Sequence, residues 1–127
     1  MIQRKLLGAA IAGLVAMSAS MAMAAGDADA GKKVFNKCRA CHKIEAGAGN
    51  GVGPNLHGVV GRKAGTAEGF KYSKAFQEAD FDWNDENLHQ YLEDPRKFLP
   101  GNKMAFPGLR SEEDRDNVIA YLEAESK

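Results

Sequence analysis

Cys38-Arg39-Ala40-Cys41-His42 places two thiols and an imidazole within five residues, and the 127-residue chain has no other cysteine. A disulfide across two intervening residues would close too small a loop to constrain the unfolded chain much. A dithiol redox centre is expected after a strand, inside a βαβ pattern. Here Asp27-to-Lys37 precedes it, helix-like, with Ala30, Val34, Phe35 and Cys38 on one face and Lys32, Lys33 and Lys37 elsewhere. Zinc would need a fourth ligand, supplied by His57 or His89. The remaining chemistry is covalent haem. Two thiols three apart on a helical turn can add to two vinyl groups of one porphyrin, and the next residue then offers its imidazole to the iron. With every cysteine used by this pattern, haem c, one per chain, is the expected cofactor, with Cys38 and Cys41 as attachment points and His42 as an axial ligand.

The second face of the iron needs another donor or stays open. Four of the five methionines fall in residues 1–25, which leaves Met104 alone beyond them. It sits in Pro100-Gly101-Asn102-Lys103-Met104-Ala105-Phe106-Pro107-Gly108, where proline and glycine argue for a loop. A lone methionine is usually a core gap-filler, but one beside a lysine in a loop suits a ligand better. His89 falls off the apolar stripe Leu88, Tyr91, Leu92 of a helix over Asn84–Asp94, so a solvated surface position is expected. His57, in Gly53-Pro54-Asn55-Leu56-His57-Gly58, is expected to be hydrogen-bonded and structural. Met104 is therefore the expected sixth ligand. A haem peroxidase or a gas-binding haem sensor, each with a labile sixth position, is the alternative function.

These residues must be positioned by a small domain. Met1–Lys5 is basic, Leu6–Ala19 is uncharged, and Ala22-Met23-Ala24 is a small-residue site. That is the layout of a secretory signal peptide cut after Ala24 or Ala25. Fourteen uncharged residues are short for the roughly 20 that a bilayer requires, so cleavage rather than anchoring is expected. Residues 26–127 then form one exported domain in the periplasm. The 17 basic and 17 acidic residues balance, which excludes nucleic-acid binding by bulk positive charge. Losing Arg4 and Lys5 makes the mature chain net −2.

Helices are expected at roughly 28–38, 73–79, 84–94 and 111–125, with no strand pattern, giving an all-α fold. The last begins at Ser111 with Glu112, Glu113 and Asp114 in its first turn, favourable at the positive helix end. Between Lys43 and Phe70 there are eight glycines in 28 residues and little periodicity. So long an irregular stretch is unusual in a small domain. It makes sense wrapped around a large flat cofactor that supplies apolar surface, and the haem-free chain is expected to be largely disordered.

Taken together, Cys38-to-His42, Gly53-to-Gly58, Gly61-Arg62-Lys63, Tyr91-Leu92 and Pro100-to-Phe106 resemble a class I cytochrome c, in order and at the family's spacing. The pattern is nearest to the mitochondrial type and to the short alphaproteobacterial cytochromes c2. The resemblance implies a cytochrome c fold of about four to five helices, long loops around one covalent haem, and crossing N- and C-terminal helices, with Gly31 allowing close approach. It implies that the Pro54 carbonyl accepts a hydrogen bond from the His42 ring and that Tyr91 reaches the Met104 sulfur. Tyr72, Trp83 and Arg62 would lie near the propionates. Asn102, often Thr in the family, and Phe76, often Asn, depart from the pattern in the polar network near a propionate and the methionine.

Charge is distributed along the chain in a way the total hides. Gly31–Lys43 has five basic residues and no acid, and Pro95–Arg110 has four and no acid. Asp80–Asp94 carries six acids and no base. The resemblance implies a lysine-ringed haem edge, with Lys37, Lys71, Lys97 and Lys103 as expected contacts steering it to an acidic partner. The function implied is a monomeric, diffusible one-electron carrier and not an enzyme. Its expected partners are membrane redox complexes, a bc1 complex as donor and a terminal oxidase or photosynthetic reaction centre as acceptor.

Overall fold

The computed structural model describes residues 26–127 and, of the preceding segment, Gly13 alone. The expected signal peptide lies outside the described residues. Five helices follow in order: α1 (Ala28–Phe35), α2 (Lys74–Gln77), α3 (Asp85–Glu93), α4 (Pro95–Phe98) and α5 (Glu112–Ala124). Among the described residues there is no strand, only an isolated antiparallel bridge between Lys63 and Asp82. The fold is all-α, as expected.

Each helix starts where a short polar side chain satisfies free backbone N–H groups. Asp27 accepts from the Asp29 and Ala30 amides, Ser73 from Phe76, Asn84 from Asn87, and Ser111 from Asp114. The helix at α4 was not anticipated. Asp94 ends α3 in an extended conformation (φ −154°, ψ 90°), and its side chain then accepts from the Lys97 amide to start α4. Pro95 fits the first helical position because its missing N–H would be unpaired there anyway. A single helical turn is too short to show periodicity, which is why only its Asp-Pro start is visible in sequence.

Helix α1 ends at Phe35, earlier than the expected Cys38, because the hydrogen bonding tightens. Asn36, Lys37 and Cys38 donate to the carbonyls three residues back, at Lys33, Val34 and Phe35. A further turn begins at Cys38, whose carbonyl accepts from both Cys41 and His42 (3.1 and 2.9 Å).

The end helices cross. Phe35, 1% exposed, packs its ring against Tyr121 with centroids 5.3 Å apart. Gly31 makes the approach possible: a Cβ there would overlap the Asn117 carbonyl and come 2.9 Å from the Tyr121 Cβ. Asn117 returns the contact by accepting from the Asp27 amide at 2.8 Å. From α5, Arg115 donates to the carbonyls of Leu109 and Arg110 (2.7 and 3.1 Å), tying down the chain just before the helix.

One expectation fails here. His89 is only partly solvated: its Nε2 lies 3.0 Å from Asp116 Oδ1 on α5 and 3.9 Å from Asp85, with the side chain 25% exposed. Position 89 is at the border of the α3 stripe, and the crossing of α3 with α5 covers it. His57 is structural as expected, with Nδ1 3.2 Å from the Ile44 carbonyl and its amide donating to Asn55 Oδ1.

Candidate cofactor site

Cys38, Cys41 and His42 occupy one tight turn, so the two thiols and the imidazole leave the same short stretch of backbone. Cys38 is half-buried and Cys41 exposed, and both are free thiols. Burial pushes the Cys38 thiol up from its ordinary value. The His42 ring is held on one side: Nδ1 lies 2.7 Å from the Pro54 carbonyl. Because a carbonyl can only accept, Nδ1 carries the proton and Nε2 keeps its lone pair for a metal. Burial lowers the His42 pKa, and the Pro54 bond opposes that shift only in part. The neutral imidazole, which is the ligating form, is therefore favoured.

Gly53 is the reason the ring can lie where it does. A Cβ at this position would sit 2.8 Å from His42 Nδ1 and 2.9 Å from Nε2. Nothing in the sequence pattern marks Gly53 beyond its place before Pro54, and the role becomes visible only once the ring is seen against the backbone.

Met104 is half-buried on the loop between α4 and α5. The Tyr91 hydroxyl donates to its sulfur at 3.6 Å. Tyr91 is itself buried, which pushes its pKa far above the ordinary tyrosine value and keeps the phenol protonated as a donor. An aromatic wall holds it: ring centroids of Trp83, Phe76 and Phe98 lie 5.0, 5.9 and 6.1 Å from that of Tyr91. Phe76 also meets Tyr72 and Trp83. A phenylalanine at 76 therefore extends this wall where a polar side chain would break it.

Arg62 is directed inward. Its guanidinium donates to the carbonyls of His57 (3.1 Å) and Asn55 (3.3 Å), while the buried Nε has no protein partner. A buried N–H left without an acceptor is costly, and an acidic group of a bound cofactor would satisfy it. The Tyr72 hydroxyl accepts from the Ala67 amide at 2.8 Å, which leaves its own proton free to donate. Asn102 turns to the backbone, with bonds to Pro95, Leu99 and Met104. Lys37, Lys71, Lys97 and Lys103 are all exposed.

Among the described residues no group of three or more His, Cys, Asp or Glu side chains could hold a metal ion, so a zinc site has no support. A dithiol centre on a βαβ unit finds no sheet among the described residues. Two adjacent thiols, an imidazole freed at Nε2, a hydrogen-bonded thioether and an unpaired buried guanidinium N–H form a donor set that suits haem. Fold and site together define a c-type haem protein.

The comparisons agree. The family model of cytochrome c matches residues 28–125. The chain is 58% identical to a cytochrome c2 of Rhodoblastus acidophilus over 98 residues, 77% of this chain and 92% of the relative. It is 46% identical to a cytochrome c of Arabidopsis thaliana, covering 80% and 92% of the two chains. The solved structure of cytochrome cH from Methylobacterium extorquens superposes with a TM-score of 0.74 at 47% identity, covering 78% of this chain and 99% of that one. This chain belongs to the cytochrome c family, whose cofactor is covalent haem c, and it is an electron carrier and not an enzyme. Cys38 and Cys41 fit the family's attachment motif.

Proposed function

We propose that the chain is a periplasmic one-electron carrier whose haem is attached through Cys38 and Cys41 and ligated by His42 and Met104. When bound, the haem supplies an iron that alternates between ferric and ferrous states. Everything else falls to the protein. His42 is kept neutral by burial and oriented by Pro54. Met104 offers a soft sulfur, which favours ferrous iron and a higher potential than a second histidine would give. Tyr91 draws electron density from that sulfur through its hydrogen bond. Arg62 and Tyr72 keep free donors for the propionates, and Trp83 closes the aromatic wall beside them.

The observation that carries the reading is the Tyr91–Met104 hydrogen bond at 3.6 Å. A sixth ligand held by a buried side chain leaves no position standing open for peroxide or a gas, which favours a carrier over a peroxidase or sensor. Electron transfer needs only that both ligands stay bound in both oxidation states.

Export rests on the layout of residues 1–25, which would be cleaved from the working protein. Among the described residues no helix is long and apolar enough to cross a membrane. The likeness to a cytochrome c2 supports a bc1 complex as donor and a terminal oxidase or reaction centre as acceptor. The exposed Lys37, Lys71, Lys97 and Lys103 would meet an acidic docking surface on these partners as the monomer diffuses between them. Oxidation of the reduced protein by isolated membranes should slow by roughly tenfold when ionic strength rises from about 0.01 to 0.2 M. A rate independent of salt would remove the steering role of the lysines.

A further inference from the structure

Asn102 stands two residues before Met104, and every polar atom of its side-chain amide is engaged. Nδ2 donates to the carbonyls of Pro95 (2.8 Å) and Leu99 (2.7 Å). Oδ1 accepts from the Met104 amide at 2.9 Å. The main chain repeats the connection, since Leu99 donates to Pro95 and Asn102 to Leu99 (3.0 and 3.2 Å). One planar amide thus closes the C-terminal end of α4 and holds the backbone of the following loop at Met104 itself.

The chemistry is selective. Two carbonyls facing one group require two N–H donors, and an amide N–H requires an acceptor on that same group. A carboxylate has no donor, and a threonine hydroxyl has one. Only asparagine among residues of this size meets all three partners.

The geometry also joins the two ends of Met104. Pro95, at the start of α4, is buried, and Phe98 of α4 packs against Tyr91 of α3 with centroids 6.1 Å apart. Tyr91 reaches the Met104 sulfur, while Asn102 reaches the Met104 amide. Tyr91 of α3 therefore holds the residue at its side-chain tip, and Asn102, tied to α4, holds it at its backbone. Gly101, at φ +90°, supplies the left-handed turn that lets Asn102 fold back onto α4.

We propose that Asn102 is the positioning residue for Met104: its amide holds the loop so that the sulfur stays in place, and it limits how fast an outside ligand can displace that sulfur. The proposal rests on the reading of Met104 as the axial ligand. A residue that merely capped α4 would affect overall stability without this local effect.

Imidazole is the probe. Its rate of displacing Met104 is followed in the ferric holoprotein by loss of the far-red iron–sulfur band, alongside unfolding in guanidinium chloride. N102A removes all three bonds, and N102D keeps the acceptor but loses both donors. N87A is the control, since Asn87 makes a comparable bond to the Asp82 carbonyl (2.8 Å) away from the loop. Displacement should quicken on the order of tenfold in N102A and N102D and stay within about twofold in N87A. Rates in N102D equal to the parent's, or an equal acceleration in N87A, would overturn the proposal. Should N102A fail to accumulate folded protein, hydrogen exchange in the unsubstituted holoprotein decides. The Met104 amide should exchange on the order of tenfold more slowly than that of exposed Lys103, and equal rates would overturn the proposal. If the parent lacks the far-red band altogether, the ligand reading falls first and this proposal with it.

Discussion

The two ends of the site are held by different means. His42 shares one tight turn with both thiols and lies flat against Gly53, with a single bond to Pro54. Met104 sits on a loop: its sulfur accepts from Tyr91 of α3, and its amide donates to Asn102 of the same loop, which is itself tied to the Pro95 and Leu99 carbonyls. The first arrangement is local and steric and has little freedom once the turn forms. The second depends on a loop that meets α3 through one side-chain bond and is tied back to α4, so it can open without unfolding the rest. With the proposed ligation a carrier would gain from this asymmetry: His42 would anchor the cofactor, and Met104 would tune the potential through its surroundings.

The largest effect is expected on the histidine side. Gly53→Ala puts a methyl into the space of the His42 ring and should destabilise the holoprotein by about 1–3 kcal/mol in guanidinium unfolding. A G53A protein as stable as the parent would show that the ring is free to move, and the contrast would break.

A smaller effect is expected at the sulfur. Tyr91→Phe removes one donor, which should ease Met104 displacement by about 0.5–1.5 kcal/mol. The potential should fall, because a sulfur without its hydrogen bond donates more strongly to ferric iron. Redox titration gives the sign, and an unchanged or raised potential would contradict the role. Burial raises the Tyr91 pKa, so its hydroxyl remains protonated at neutral and mildly alkaline pH. The difference between Y91F and the parent should therefore be constant over that range.

The smallest effect should come from a place that belongs to neither end. His89→Gln loses the pairing of α3 with Asp116 on α5, where both side chains are about one-quarter exposed. For such a pair the change is at most about 1 kcal/mol, and neither the potential nor the imidazole displacement rate should move. A shift in either would mean that the α3–α5 contact reaches the methionine side, and the division into two independently held ends would need redrawing.

The histidine side was the more legible in sequence because it is written in consecutive residues. Cys38-to-His42 names its own chemistry, and the cap Ser111 announces the last helix. Met104 followed by elimination, and its surroundings were legible only through the resemblance. What stayed hidden depends on contacts that exist only once the elements have formed and met. His89 finds Asp116, 27 positions away, and no pattern on α3 alone could show it. Asn102 drew attention as a departure from the family, but two of its three partners, the Pro95 and Leu99 carbonyls, face it only once α4 exists, and a four-residue helix leaves almost no signal. Gly53 matters because of a ring eleven residues earlier, a steric relation that composition does not encode.

The central claim is that Met104 completes the coordination of a low-spin iron whose opposite ligand is His42. The absorption spectrum of the oxidised and reduced protein, recorded for the parent and for M104A, tests it most directly. The expected result is a low-spin spectrum with a far-red iron–sulfur band in the ferric parent, and loss of that band with a high-spin spectrum in M104A. A high-spin parent, or a band that survives in M104A, would contradict it.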